Sequence, residues 1–312
     1  MYIRPLLIIG ADGQLGTALK EYNNSLLRSF YNVDLTRKEI DLSDKKSISN
    51  AIKKYNPWMV INAAAYTDVD TAETDSDMAF KVNQEGPKHL ANLCKQHNSS
   101  LIHISTDYVF DGTKGQPYLE TDQVNPLNVY GQSKAAGEKD ILDTGAQAMI
   151  LRTSWVYSSG HKNFVNSVFK AAEIKAANKN INFKVVCDQI GCPTSADDLA
   201  ETIFHILQRI DTKGWDSNYN GIFHAAGSGH ASRYELAQEI LAEAAKYGLP
   251  KPNLEKITSL EWPLPAERPL DTRLDCSKLK DFFGIEMPEW KSSVKSVVNK
   301  IYSDKIYSMD IQ

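Results

Sequence analysis

Tyr130 and Lys134 stand four residues apart in VYGQSK, a spacing that puts both side chains on one face of a helix, one turn from each other. A phenol held near an ammonium has its phenolate form favoured, so it could exchange a proton near neutral pH. Thr106, at the end of the apolar run LIHIS, supplies a hydroxyl able to hydrogen-bond the same substrate oxygen. Tyr-x-x-x-Lys also occurs by chance on surface helices. The pair therefore takes its meaning from the elements that position it.

Residues 3 to 9 read as a short apolar strand running straight into Gly10-Ala-Asp-Gly13-Gln-Leu-Gly16, with a helix starting at TALKEY. Strand, glycines, helix is the context in which a Gly-rich turn cradles a pyrophosphate. The backbone can approach the phosphates, and the helix N-terminus offers free N–H groups. A second strand, Asn32 to Leu35, ends in Thr36-Arg37. An Arg there can hold the 2′-phosphate of NADP, so NADPH is favoured, with NADH still open because Asp34 lies close by. Ser43 or Asp44 is the expected N-cap of the next helix, and Ile48, Ile52 and Tyr55 its buried stripe. Asp41 precedes that helix, where it could meet the adenine edge.

Ala63, Ala64 and Ala65 end a third strand, where small residues let a flat cofactor pass close to the backbone. A long helix is expected over Glu73 to Gln96, kinked or restarted at Gly86-Pro87. Ala148 to Val156 reads as a further strand. This alternation predicts an α/β fold, a Rossmann-type doubly wound parallel sheet, over residues 1–155. Residues 156–312 carry shorter, more broken elements and read as a smaller, mixed α/β substrate domain, some of whose segments return to the core. Within it Leu199, Ile203, Ile206, Leu207 and Ile210 form a helical apolar stripe.

A formal net charge of −4 without a basic stripe argues against nucleic acid as a partner. The early apolar run Pro5 to Ile9 is too short to span a bilayer or serve as a signal core, so a cytoplasmic protein without a membrane partner is expected. Cys94, Cys187, Cys192 and Cys276 lack C-x-x-C spacing and read as free thiols. The seven His are scattered without zinc spacing, so no catalytic metal is expected.

With these motifs in this order the chain resembles an extended short-chain dehydrogenase/reductase. GADGQLG, INAAAYTDVD, ISTDYVFDG, PLNVYGQSKAAGE, RTSWVY, DQIGCPTSADDLA and RPLDTRLDCSKL resemble, more narrowly, the dTDP-4-dehydrorhamnose reductase family, from the first strand to about Trp290. The resemblance implies reduction of a 4-keto nucleotide-sugar by NAD(P)H. Tyr130 would protonate the C4 oxygen, and Lys134 would hold the nicotinamide ribose. Thr106 would stand where the wider superfamily has Ser, and Asp107 and Trp155 would touch the substrate. Gly13, Gln14, Leu15, Asp41, Leu42, Ala65, Tyr66 and Thr67 fall in the family's cofactor strings. Arg268 and Arg273 would face the diphosphate. Some members dimerise around a magnesium ion held partly by an acid in the first helix. Ala18 stands there instead, so a magnesium-bridged dimer is not expected and the chain is read as a monomer or homodimer. A 4,6-dehydratase, an epimerase, or a regulatory subunit like that of methionine adenosyltransferase are the alternatives. Thr106-Asp107-Tyr108 lacks the Asp-Glu pair of a dehydratase.

Overall fold

In a computed structural model of the chain, residues 4–25, 30–177 and 182–309 are described. The first half alternates strand and helix: β1 (Leu6–Ile9), α1 (Gln14–Ser25), β2 (Asn32–Leu35), α2 (Lys45–Tyr55), β3 (Met59–Asn62), α3 (Val69–Ala72), α4 (Ser76–Phe80), α5 (Gly86–Gln96), β4 (Ser100–Thr106), α6 (Val129–Asp143) and β5 (Ala148–Thr153). The second half runs β6 (Val156–Tyr157), α7 (Phe164–Ala177), β7 (Asn182–Val186), β8 (Ile190–Gly191), β9 (Thr194–Ser195), α8 (Ala196–Lys213), β10 (Gly221–His224), β11 (Ala231–Ser232), α9 (Arg233–Ala245), β12 (Asn253–Ile257), α10 (Ser277–Phe283) and α11 (Trp290–Met309).

The central sheet has six strands in the order β10-β5-β4-β3-β1-β2, all pairs parallel. Its inner strands are apolar without alternation because both faces are covered. Leu6 and Ile8 face the core shared with α1 and α8, while Leu7 and Ile9 face the core shared with α2 and α5. The α8 stripe of Leu199, Ile203, Ile206, Leu207 and Ile210 is fully buried and packs on α1. β10 and α8 thus come from the second half of the chain yet complete the sheet layer. A further core gathers α7, α9 and α11 around Val168, Leu236 and Val297.

Several boundaries differ from the sequence reading. The first strand begins at Leu6, since Pro5 has no N–H for the ladder; residue 3 lies outside the described residues. α1 begins at Gln14, ahead of TALKEY. Asp44 is the N-cap of α2, its side chain accepting from Lys46 N–H. The helix expected from Glu73 starts at Ser76 and passes through a π-helical turn, Lys81–Glu85, before Pro87. The Gly86 N–H reaches back to the Lys81 carbonyl, shifting the hydrogen-bond register where Pro87 could not donate. β5 stops at Thr153 because Trp155 takes a left-handed φ of 48°. Val156–Tyr157 then pairs with Thr194–Ser195 instead.

Candidate active site

A cleft of about 920 Å³ opens at the carboxyl ends of β1, β3, β4 and β5. Gly10, Gly13, Gln14, Leu15, Arg37, Asp41, Leu42, Ala63, Ala64, Ala65, Tyr66 and Thr67 line one part of it. Thr106, Asp107, Tyr130, Lys134 and Trp155 line another. Gly10 has φ +80°, and a Cβ there would meet the Ala64 nitrogen at 2.8 Å. Gly16 lies beneath the loop; a Cβ would run into the Gly10 carbonyl oxygen, so this glycine seats α1 against β1. α1 has no acidic residue in its first turn, which leaves its free N–H groups and positive dipole end open to an anion. Narrow glycine floor, bare helix start and alanine wall together fit a dinucleotide. Arg37 is exposed at the rim, with Asp41 at 3.8 Å as its ion-pair partner. The Asp41 carboxylate also accepts from Ser43 N–H and hydroxyl, which hold it below the ordinary carboxylate range against the effect of partial burial.

Asn128 caps α6 by accepting from Gly131 N–H, and this fixes where Tyr130 enters the cleft. Burial raises the Tyr130 phenol, the neighbouring Asp107 adds to the rise, and a hydrogen bond with Thr106 lowers it in part. The Lys134 ammonium is not what governs this phenol. Its Nζ donates to the Ile104 carbonyl at 2.7 Å and stands 3.2 Å from His103 Nε2. Burial keeps the resting phenol protonated, the form a general acid needs. Burial in turn brings Lys134 down to about 8, although Glu138 pulls the other way. Thr153, also lining the cleft, has a buried hydroxyl without a hydrogen-bond partner among the described residues.

Asp107 is buried and accepts from Ser154 at 2.8 Å, Thr272 at 2.6 Å and Thr106 at 3.2 Å. It ties β4, the turn after β5 and the RPLDTRLD segment into one unit. Trp155 packs on Gly191, where a Cβ would meet the indole at 2.5 Å. The Arg233 guanidinium lies 3.5 Å from the centroid of the Trp155 ring. Of the two arginines read as diphosphate groups, Arg268 pairs with Asp70 at 2.9 Å and Arg273 with Asp271 at 2.6 Å. Arg273 also donates to the Gly115 carbonyl, so its cation is turned to the loop that follows β4.

Other residues escaped the sequence reading. Asn83 of the π-helical turn bonds both backbone groups of Tyr66 and the Ser133 hydroxyl, clasping the cofactor-side loop to α6. Gln14 takes Ser158 and Asn163 onto its side-chain oxygen, and His161 Nε2 lies 2.8 Å from the Asp12 carbonyl. The segment after β6 is thereby buttoned to the Gly-rich turn. Arg233 carried no signal beyond a single charge at a helix start. Among the described residues no cluster of His, Cys, Asp or Glu could hold a metal, and no helix is long and apolar enough to cross a membrane.

Sheet order, glycine turn, and Tyr130 with Lys134 of α6 in the cleft at the strand ends define a Rossmann-type enzyme of the short-chain dehydrogenase/reductase class. The chain belongs to the RmlD substrate binding domain family, whose pattern matches residues 4–303. A dTDP-4-dehydrorhamnose reductase of Sinorhizobium fredii is 37% identical over 293 residues, covering 94% of this chain and 96% of that protein. The crystal structure of a dTDP-4-dehydrorhamnose reductase from Clostridium acetobutylicum superposes with TM-score 0.85 at 32% identity, covering 95% of this chain and 99% of the other. That of the Bacillus anthracis dTDP-4-dehydrorhamnose reductase, solved in complex with NADP, gives 0.84 at 28% identity, covering 96% and 100%.

Proposed function

We propose that this chain reduces the 4-keto group of dTDP-4-dehydro-β-L-rhamnose to give dTDP-L-rhamnose, the last step of dTDP-rhamnose biosynthesis, as an NAD(P)H-dependent oxidoreductase. One observation carries the reading: Tyr130, Lys134 and Thr106 line the end of a glycine-floored cleft in a chain so similar to these reductases. The bound nicotinamide supplies the hydride to C4. Tyr130 gives its proton to the C4 oxygen, and the Thr106 hydroxyl, on turning from Asp107 to the substrate, donates to that oxygen. Lys134, one turn along α6, holds the cofactor ribose and offsets the phenolate left behind. Asp107, its carboxylate taken up by three hydroxyls, shapes the substrate wall more than it contacts the sugar. Trp155 flanks the sugar, and Arg233 and Arg268 offer cations toward the diphosphate. Arg37 favours NADPH over NADH. Residues 1–155 hold the cofactor and most of 156–312 closes over the nucleotide-sugar. The protein works in the cytoplasm, as a monomer or as a homodimer without a metal bridge.

The test is incubation with dTDP-4-dehydro-L-rhamnose and each reduced nicotinamide, following loss of cofactor absorbance and identifying the sugar product. Oxidation of NADPH with formation of dTDP-L-rhamnose is expected. No turnover with either cofactor would remove the assignment.

A further inference from the structure

Behind the catalytic face, Asn62 and His103, which the reduction as described does not use, form a buried chain with Lys134, which it does; none of the three is more than 1% exposed. The Ala64 N–H donates to Asn62 Oδ1 at 3.2 Å, which fixes the amide with its Nδ2 toward His103 Nδ1, 3.0 Å away. An amide NH₂ only donates, so Nδ1 accepts. Burial first, and Lys134 second, hold the His103 ring neutral. A neutral imidazole that accepts at Nδ1 carries its proton on Nε2. That N–H is aimed at Lys134 Nζ, 3.2 Å away, while Nζ itself donates to the Ile104 carbonyl. An ammonium has no lone pair to receive the Nε2 proton; an amine has one.

We propose that Asn62 locks His103 as its Nε2–H tautomer and that this N–H biases Lys134 from ammonium toward amine. The proposal rests on the reductase reading only for its effect on turnover. Asn62 and His103 are positioning residues that act through Lys134. The charged groups bearing on Lys134 are Glu138 of its own helix and the Arg152 of β5 ion-paired with it, and the titratable group facing it from β4 is the neutral His103. From the π-helical turn packed on α6, Asn83 and Gln84 bring no charge. Tyr130, one turn back, is neutral. Lys134 loses its proton near pH 8, so the cation that offsets the phenolate disappears as pH rises.

¹⁵N NMR of the wild-type ring tests the tautomer without any assay. His103 is expected to show a protonated Nε2 and a bare Nδ1 from pH 6 to 9. In Asn62→Asp the carboxylate accepts from Nδ1, the tautomer turns over, and Nε2 accepts from the ammonium. The alkaline limb of kcat/KM should then move up by about one pH unit. Because Asp also adds charge, the uncharged His103→Gln decides: its carbonyl can accept from Lys134, and the same upward move is expected. A protonated Nδ1 in the wild type, or an unmoved alkaline limb in His103→Gln, overturns the proposal. Should the wild type reduce no keto sugar, the reductase reading fails by itself, and the NMR result still decides the tautomer lock.

Discussion

Burial holds the Tyr130 phenol in its protonated form, and Thr106 draws it only part of the way back. Replacing Tyr130 by Phe removes the proton donor while keeping the ring against Tyr108, 5.9 Å away. Turnover should fall about 10²–10⁴-fold, the usual worth of general acid catalysis, while cofactor affinity measured by fluorescence titration stays within a few-fold. At Arg37 the guanidinium is 75% exposed and, among the described residues, tied only to Asp41, so it can meet a 2′-phosphate. Arg37→Ala should weaken NADPH at least several-fold in KM and leave NADH unchanged; equal effects on both would mark a solvated charge. Tyr130, Lys134 and Thr106 were legible because their spacing repeats a motif. His103, Asn62 and Arg233 were not, since each is a lone polar residue whose meaning depends on a partner distant in sequence. The Ile104 carbonyl that takes the Lys134 side chain was hidden for the same reason: spacing places two groups one turn apart but says nothing of what else each meets.

α6 owes its place to close approaches. A Cβ on Gly137 would strike the Asn83 carbonyl of the π-helical turn, and one on Gly131 the Tyr108 carbonyl. In an ordinary helix interior Gly→Ala stabilises by roughly 1 kcal/mol. Here Gly137→Ala should destabilise by about 1–3 kcal/mol, because the obstacle is backbone and α6 must lift from its neighbour. A urea unfolding midpoint above that of the wild type would show that no close approach is needed. Loss of turnover should accompany the loss of stability, since α6 carries both Tyr130 and Lys134. The strands and helices themselves were readable from apolar runs and caps, as with Asp44. The π-helical turn and the break at Trp155 were not, because a register shift or one left-handed residue leaves no periodicity to read.

Across the whole molecule, α11 engages the acids that a bridging metal would need. Lys300 Nζ lies 2.7 Å from Glu21 and 3.7 Å from Asp197, and Ser293 donates to Asp198. With an ammonium already among these carboxylates and Ala18 unable to ligate, Mg²⁺ has too few free oxygens to bind tightly. EDTA should change neither reductase activity nor mass by light scattering; a drop in either, restored by Mg²⁺, would show other acids at work. That α11 closes back on α1 was invisible in the sequence, where Glu21 and Lys300 stand at opposite ends.

The place of β10 has a consequence for how the protein is made. β5 is bracketed by β4 on one side and by Gly221–His224 on the other. During vectorial synthesis β5 leaves the ribosome well before its outer neighbour does. At about 5–20 residues per second the gap lasts on the order of seconds. For that interval an apolar strand edge faces solvent unpaired, the state most open to wrong association. Nascent chains stalled before residue 221 should therefore be more chaperone-bound than chains stalled beyond 224. The step that commits this chain to its fold comes late in translation, when the second half delivers the last strand.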